Sequence, residues 1–223
     1  MVTRGVLFDW RGTLVTCLTE REWVREALTL AGRTAAPADV ERVVAAVAAA
    51  DGPGDRLDAP GVDSDPVLHR RVYLDVFADA GLDDALAQAL YAVESDLRHN
   101  PFADDVAATL AALHARRVRV AVVSDVHVDV RPAFDAAGLT RFVDVFTLSC
   151  ETGVQKPDPA VFTRTLEALG VAAAEALMVG DRSGPDGGAV EQGIATLLLP
   201  PLRHVTERRL HRVLALSDAA PPP

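Results

Sequence analysis

The chain has 223 residues and a mass of 23.7 kDa; 49% of its residues are hydrophobic and 24% charged, which supports a buried core and excludes wholesale disorder. A net charge of −10 and a pI near 5.0 argue against a nucleic-acid backbone or an anionic membrane surface as the main partner. No stretch reaches the ~18 uninterrupted apolar residues of a membrane span, the first residues meet a charge too soon for a secretory signal, and Cys17 and Cys150 have no paired spacing, which reads as free thiols in a reducing cytoplasm.

Residues 5–9 (Gly-Val-Leu-Phe-Asp) form a short apolar run ending in a carboxylate, the pattern of a buried strand. Thr19-x-x-Glu22 is a capping box that opens a helix around Trp23 and Leu28. Val40, Val43, Val44 and Val47, and then Leu86, Leu90, Val93 and Leu97, fall at helical spacing, each a core stripe of an amphipathic helix. Residues 51–65, rich in Asp, Gly and Pro, read as the loop between them. Val106, Leu110 and Leu113 continue at helical spacing, followed by a β-branched run at 118–123. Residues 129–137 read helical, 142–148 extended, 158–169 helical, 177–179 extended, 186–192 helical and 194–199 extended. Five strands alternating with helices predict an α/β fold: a Rossmann-like parallel sheet with helices on both faces, and an all-helical module inserted after the first strand. The expected division is a core of residues 1–16 and 100–216, a helical cap of 17–99 and a flexible tail of 217–223.

Four positions fall where parallel strands end, the rim at which open α/β sheets bind ligands. They are Asp9 after the first strand, Ser124 after the second, Lys156 ahead of a helix begun by Pro157, and Asp181 after 177–180, with Asp186 five residues on. An Asp after a strand is ordinarily a turn or cap residue. Carboxylates, a hydroxyl and an ammonium converging on one rim suit a dianion such as phosphate. Of the 22 basic residues, Lys156 is the one lysine, so the chain uses a compact ammonium there where it otherwise uses arginine, by chance or by need.

The segment Phe8-Asp9-Trp10-Arg11-Gly12-Thr13-Leu14 resembles the first motif of the haloacid dehalogenase superfamily. Val122-Val123-Ser124-Asp125 resembles the second, Lys156-Pro157-Asp158-Pro159-Ala160-Val161-Phe162 the third, and Gly180-Asp181-Arg182-Ser183-Gly184-Pro185-Asp186 the fourth; order and spacing also agree, and the helical insert sits where that superfamily carries its C1-type cap. The resemblance implies that Asp9 attacks phosphorus and forms an aspartyl-phosphate that water hydrolyses. It implies Mg²⁺ as cofactor, held by Asp9, the backbone carbonyl of Arg11 and Asp181, with Asp186 a ligand or a supporting partner. Ser124 and Asp125 belong to the phosphate-binding segment, and Lys156 offsets charge on both nucleophile and phosphoryl group.

The superfamily's phosphatases carry a second Asp two residues after the nucleophile as general acid and base, and this chain has Arg11 there. A guanidinium does not do that work, so about 10²–10⁴ in rate is missing unless another group supplies it. His127 is one candidate, against its reading as an exposed residue opening a helix; the other five His, and Glu20 and Arg21 of the cap, read as surface positions. The phosphonoacetaldehyde branch needs a cap lysine, and residues 17–99 contain none. The expectation is a Mg²⁺-dependent phosphohydrolase acting on a small phosphorylated metabolite. The alternatives are a catalytically impaired phospholigand-binding protein or a 2-haloacid dehalogenase-like hydrolase. The sequence leaves substrate and oligomeric state open.

Overall fold

A computed structural model describes residues 3–217. Five parallel strands run β1 (Gly5–Phe8), β2 (Arg119–Ser124), β3 (Val145–Leu148), β4 (Ala176–Gly180) and β5 (Ala195–Leu198), in the order β3-β2-β1-β4-β5. The central strand is buried on both faces because both of its side-chain sets are apolar. Val6 and Phe8 join Val120, Val122 and Phe134 on one side, while Leu7 joins Ala121, Val123, Phe162 and Met178 on the other. Phe8 pairs with Val122 and with Val179, so β1, β2 and β4 end level and deliver Asp9, Ser124 and Asp181 to one edge.

Between β1 and β2 lie α1 (Glu20–Leu30), α2 (Pro37–Asp51), α3 (Pro66–Asp79), α4 (Asp84–Glu94) and α5 (Val106–Ala115). The first four share an apolar cluster separate from the sheet's, with Val24, Leu28, Val43, Phe77 and Leu90 at its centre. The Thr19 capping box forms as expected, with the Thr19 hydroxyl accepting from the Glu22 amide and the Glu22 carboxylate accepting from the Thr19 amide. Two features differ from the sequence reading. Helix α3 fills a stretch for which no element was expected, and α4 stops at Glu94, with Leu97 opening a separate 3₁₀ turn (Leu97–His99). The signal for α3 is present: Asp65 caps it, accepting from the amides of Val67 (2.8 Å) and Leu68 (3.2 Å), and Pro66 occupies its first turn. Its inward stripe is His69, Tyr73, Val76 and Phe77, helical in spacing but led by polar aromatic rings.

The chain continues through α6 (Arg131–Ala136), α7 (Ser149–Thr152), α8 (Pro159–Leu169) and α9 (His211–Ser217). Helix α8 begins at Pro159 with Asp158 as its cap, two residues later than Pro157 suggested. Residues 187–192 form a 3₁₀ helix, consistent with the low helix propensity of Gly187-Gly188. Of the expected tail, Ser217 ends α9 and 218–223 lie outside the described residues. Among the described residues no helix is long and apolar enough to cross a membrane, and Cys17 and Cys150 are unpaired.

Candidate active site

Asp9 follows β1 directly, its amide donating to the Val179 carbonyl at 2.9 Å. The chain then folds back tightly. The Trp10 carbonyl accepts from the amides of Thr13 (3.3 Å), Leu14 (2.9 Å) and Val15 (3.2 Å), while the Trp10 ring is buried against Phe102 and Phe134. Gly12 holds φ +78°, and a Cβ there would stand 2.4 Å from Asp181 Oδ2, so this turn needs glycine both for its backbone and for the approach of Asp181. Arg209 pins the turn from the far end of the chain: buried, it donates to the carbonyls of Thr13 (2.6 Å), Gly12 (3.2 Å) and Pro200.

Lys156 lies at the centre of the rim, with 3% of its surface exposed. Its Nζ donates to Asp9 Oδ1 at 2.6 Å and to Asp186 Oδ1 at 2.7 Å. Its backbone amide donates to Asp125 Oδ1 at 2.9 Å. Burial alone favours the neutral amine, but Asp9, Asp186 and Asp125 outweigh it and hold the lysine above its ordinary pKa, firmly protonated. Asp186 is saturated, because its other oxygen accepts from the amides of Asp181 (3.0 Å) and Arg182 (2.9 Å). Gly180 permits this: a Cβ there would come within 2.2 Å of the Asp186 carboxyl carbon.

Carboxylate oxygens of Asp9, Asp181 and Asp186 all lie within 4.8 Å of one another. Burial and the neighbouring Asp9 and Asp186 charges push Asp181 up to about 6, and burial raises Asp9 against the pull of Lys156. Three crowded carboxylates against one ammonium form a hard, electron-rich oxygen set, the donor chemistry that fits a divalent cation such as Mg²⁺. Ser124 and Asp125 line the same cavity, of about 140 Å³, as Asp9 and Lys156; burial raises Asp125 to about 6. The rim residues expected from the sequence thus converge.

The opposite wall corrects two expectations, those for His127 and His69. The Arg11 guanidinium lines the cavity, pairs with the carboxylate of Glu94 at the end of α4 and donates to the Glu94 carbonyl at 2.9 Å. His127 is buried, not exposed; its Nε2 meets Ser95 Oγ at 2.9 Å, and desolvation with the nearby Arg11 charge lowers it to about 4. His69, read as surface, is fully buried and stacks on His127 with ring centroids 3.5 Å apart. Burial and the charges of His127 and Arg11 lower it to about 3. Asp63 and Glu94 line the cavity too, and sequence reasoning missed both, since each is an ordinary acid on a helical module until docking carries it to the rim.

The chain resembles known proteins in sequence and in fold. The chain is 34% identical over 120 residues to the ribulose-1,5-bisphosphate 5-phosphatase of Halopiger xanaduensis, covering 53% of this chain and 50% of that protein. It is 32% identical over 121 residues to the phosphoserine phosphatase of Thermus thermophilus, covering 53% and 49%. The chain spans about half the length of the curated relatives it matches. The fold is that of a 2-haloacid dehalogenase from Pseudomonas syringae pv. Tomato DC3000, with a TM-score of 0.59, 24% identity, and coverage of 97% of this chain and 99% of that one. A family model covers residues 3–192, and the chain belongs to the haloacid dehalogenase-like hydrolases.

Proposed function

We propose that the chain is a Mg²⁺-dependent phosphohydrolase of small phosphorylated metabolites, working through an aspartyl-phosphate on Asp9 in a reducing cytoplasm. The observation that carries this reading is the placement of Lys156 between Asp9 and Asp186, beside a third carboxylate, Asp181. Asp9, the Arg11 carbonyl and Asp181 would hold the ion, and Asp186 would act as the supporting partner that fixes Lys156 and the Asp181 loop. Bound Mg²⁺ would offset repulsion between an anionic nucleophile and an anionic substrate. Ser124 donates a hydrogen bond to the phosphoryl oxygens, and Asp125 keeps the Lys156 segment in place. Residues 17–99 act as the cap over a core of 1–16 and 100–216. The two curated relatives are phosphatases by name, which supports the same reaction class.

The test is turnover of p-nitrophenyl phosphate and acetyl phosphate with and without Mg²⁺, alongside chloride release from a 2-haloacid without metal. Mg²⁺-dependent phosphate release that falls to background in Asp9→Asn is the expected result. Metal-independent chloride release would instead select the dehalogenase reading. Binding of phosphorylated ligands without turnover would select the impaired, ligand-binding one, which the engagement of Arg11 by Glu94 favours.

A further inference from the structure

The position where phosphatases of this family carry their acid is held by Arg11, and Arg11 is occupied by Glu94. Another carboxyl faces the same cavity. Asp63 stands in the 3₁₀ turn Val62–Ser64, and its side chain lines the 140 Å³ cavity with Asp9, Ser124 and Lys156. The turn is fastened to the core from both sides. The Gly61 amide (2.8 Å) and Ser64 hydroxyl (3.2 Å) donate to Gln155 Oε1, and the Ser149 hydroxyl donates to the Asp63 carbonyl at 2.7 Å.

Behind Asp63 sits a buried ring stack. Asp63 Oδ1 is 3.6 Å from His69 Nε2, an atom that is buried without a hydrogen-bond partner, while His69 Nδ1 meets the Tyr91 hydroxyl at 3.3 Å. Asp63, His69 and His127 also offer ligand atoms within 4.8 Å of one another. They are poorly set for a metal: the two imidazoles are nearly parallel, 13° apart and face to face, so their in-plane lone pairs run side by side. Such pairs do not converge on an ion about 2 Å from both nitrogens. The arrangement suits a proton better than a cation.

We infer that Asp63 is the general acid and base of the proposed phosphohydrolase reaction, on which this inference rests, and that His69 is its positioning residue. In the first step an Asp9 oxygen bonds to phosphorus as the bond from phosphorus to the leaving oxygen breaks, and the Asp63 carboxylic proton moves to that oxygen to give the alcohol. In the second, the Asp63 carboxylate takes a proton from water as the water oxygen attacks phosphorus. The Asp9–phosphorus bond breaks, inorganic phosphate leaves and Asp63 is again an acid. Burial raises Asp63 to about 7, against the opposing pull of Arg11 and with help from Asp125, Asp58 and Glu94. An acid with a pKa near the working pH serves both half-reactions. His127, lowered to about 4, holds no proton to give at neutrality.

The experiment compares an aryl phosphate with a primary alkyl phosphate on wild type, Asp63→Asn and His69→Gln, across pH 5–9 with Mg²⁺ present. An aryl oxide leaves without protonation, so Asp63→Asn should keep most of the aryl kcat/KM, which reports phosphorylation of Asp9, and lose about 10²–10⁴-fold of the alkyl kcat/KM, while kcat falls on both substrates because they share the hydrolytic step. The alkyl kcat/KM of wild type should fall as pH rises through about 7, and that limb should vanish in Asp63→Asn. His69→Gln should move the limb without removing it. The ratio of the two substrates is insensitive to the fraction of folded enzyme. Equal losses of kcat/KM on both substrates, or an unchanged alkyl kcat/KM, would overturn the role of Asp63 and leave the phosphohydrolase reading standing. No turnover of either substrate by wild type would overturn both.

Discussion

Two groups of largely buried ionisable residues lie at and behind the walls of one small cavity, and they solve the problem of burial in opposite ways. On the core side the charges are kept and paired: Lys156 against Asp9 and Asp186, with backbone amides on the remaining Asp186 oxygen. On the other side the charge is given up: His69 of the helical module and His127, which follows β2, are neutral rings stacked on each other, and Asp63 holds its proton to an unusually high pH. The paired side is tied by charge-assisted hydrogen bonds and therefore fixed in geometry. The neutral side is close enough to titration to move protons. Removing a partner should cost far more on the first side than on the second.

The largest effect is expected from Lys156→Met. It leaves Asp9 and Asp186 buried without their counter-charge, and loss of about 3–5 kcal/mol should appear in denaturant unfolding. A loss under 1 kcal/mol would show that the carboxylates simply take up protons. The Arg11–Glu94 pair joins the two sides, with about a fifth to a third of each side chain exposed. A double-mutant cycle with Arg11→Gln and Glu94→Gln should return a coupling of about 0.5–3 kcal/mol. Near-zero coupling would mean the helical module packs beside the sheet without it.

His69→Phe should be mild at pH 7, about 1 kcal/mol, because the ring is already uncharged and only the Tyr91 contact and the longer approach to Asp63 are lost. Its pH dependence carries the sharper information. The folded-state pKa is depressed, so below about 6.5 the unfolded chain binds a proton that the folded one refuses, and wild-type stability falls as pH drops. His69→Phe lacks that proton site and should lose less than wild type between pH 6.5 and 4. The smallest effect belongs to Arg182 and Asp58, an exposed pair at 2.5 Å across the cavity mouth. Arg182→Ala should change stability by about 0.2–1 kcal/mol, and less at high salt.

The same division explains what could be read from the chain beforehand. The sheet and its rim were legible because the strands are short apolar runs, three of which give way to Asp9, Ser124 and Asp181, and register does the rest: Phe8 level with Val122 and Val179 brings those three together. The wall built by the helical module was not legible. Asp63 and Glu94 have no distinguishing neighbours, and His69 hides in a helix whose inward stripe begins with rings that also suit a surface. Arg209 was opaque for another reason, since the carbonyls of Gly12 and Thr13 that hold it lie nearly two hundred residues away. Such contacts between distant segments leave no local periodicity.

Gln155 and Lys156 are consecutive. The first grips the Gly61–Ser64 turn of the helical module, and the second grips Asp9 and Asp186. One peptide unit therefore belongs at once to the door and to the floor of the chamber. Any movement of the Gly61–Ser64 turn away from Gln155 would break both of its bonds and act on the segment that aims the ammonium, without any part of the sheet having to move.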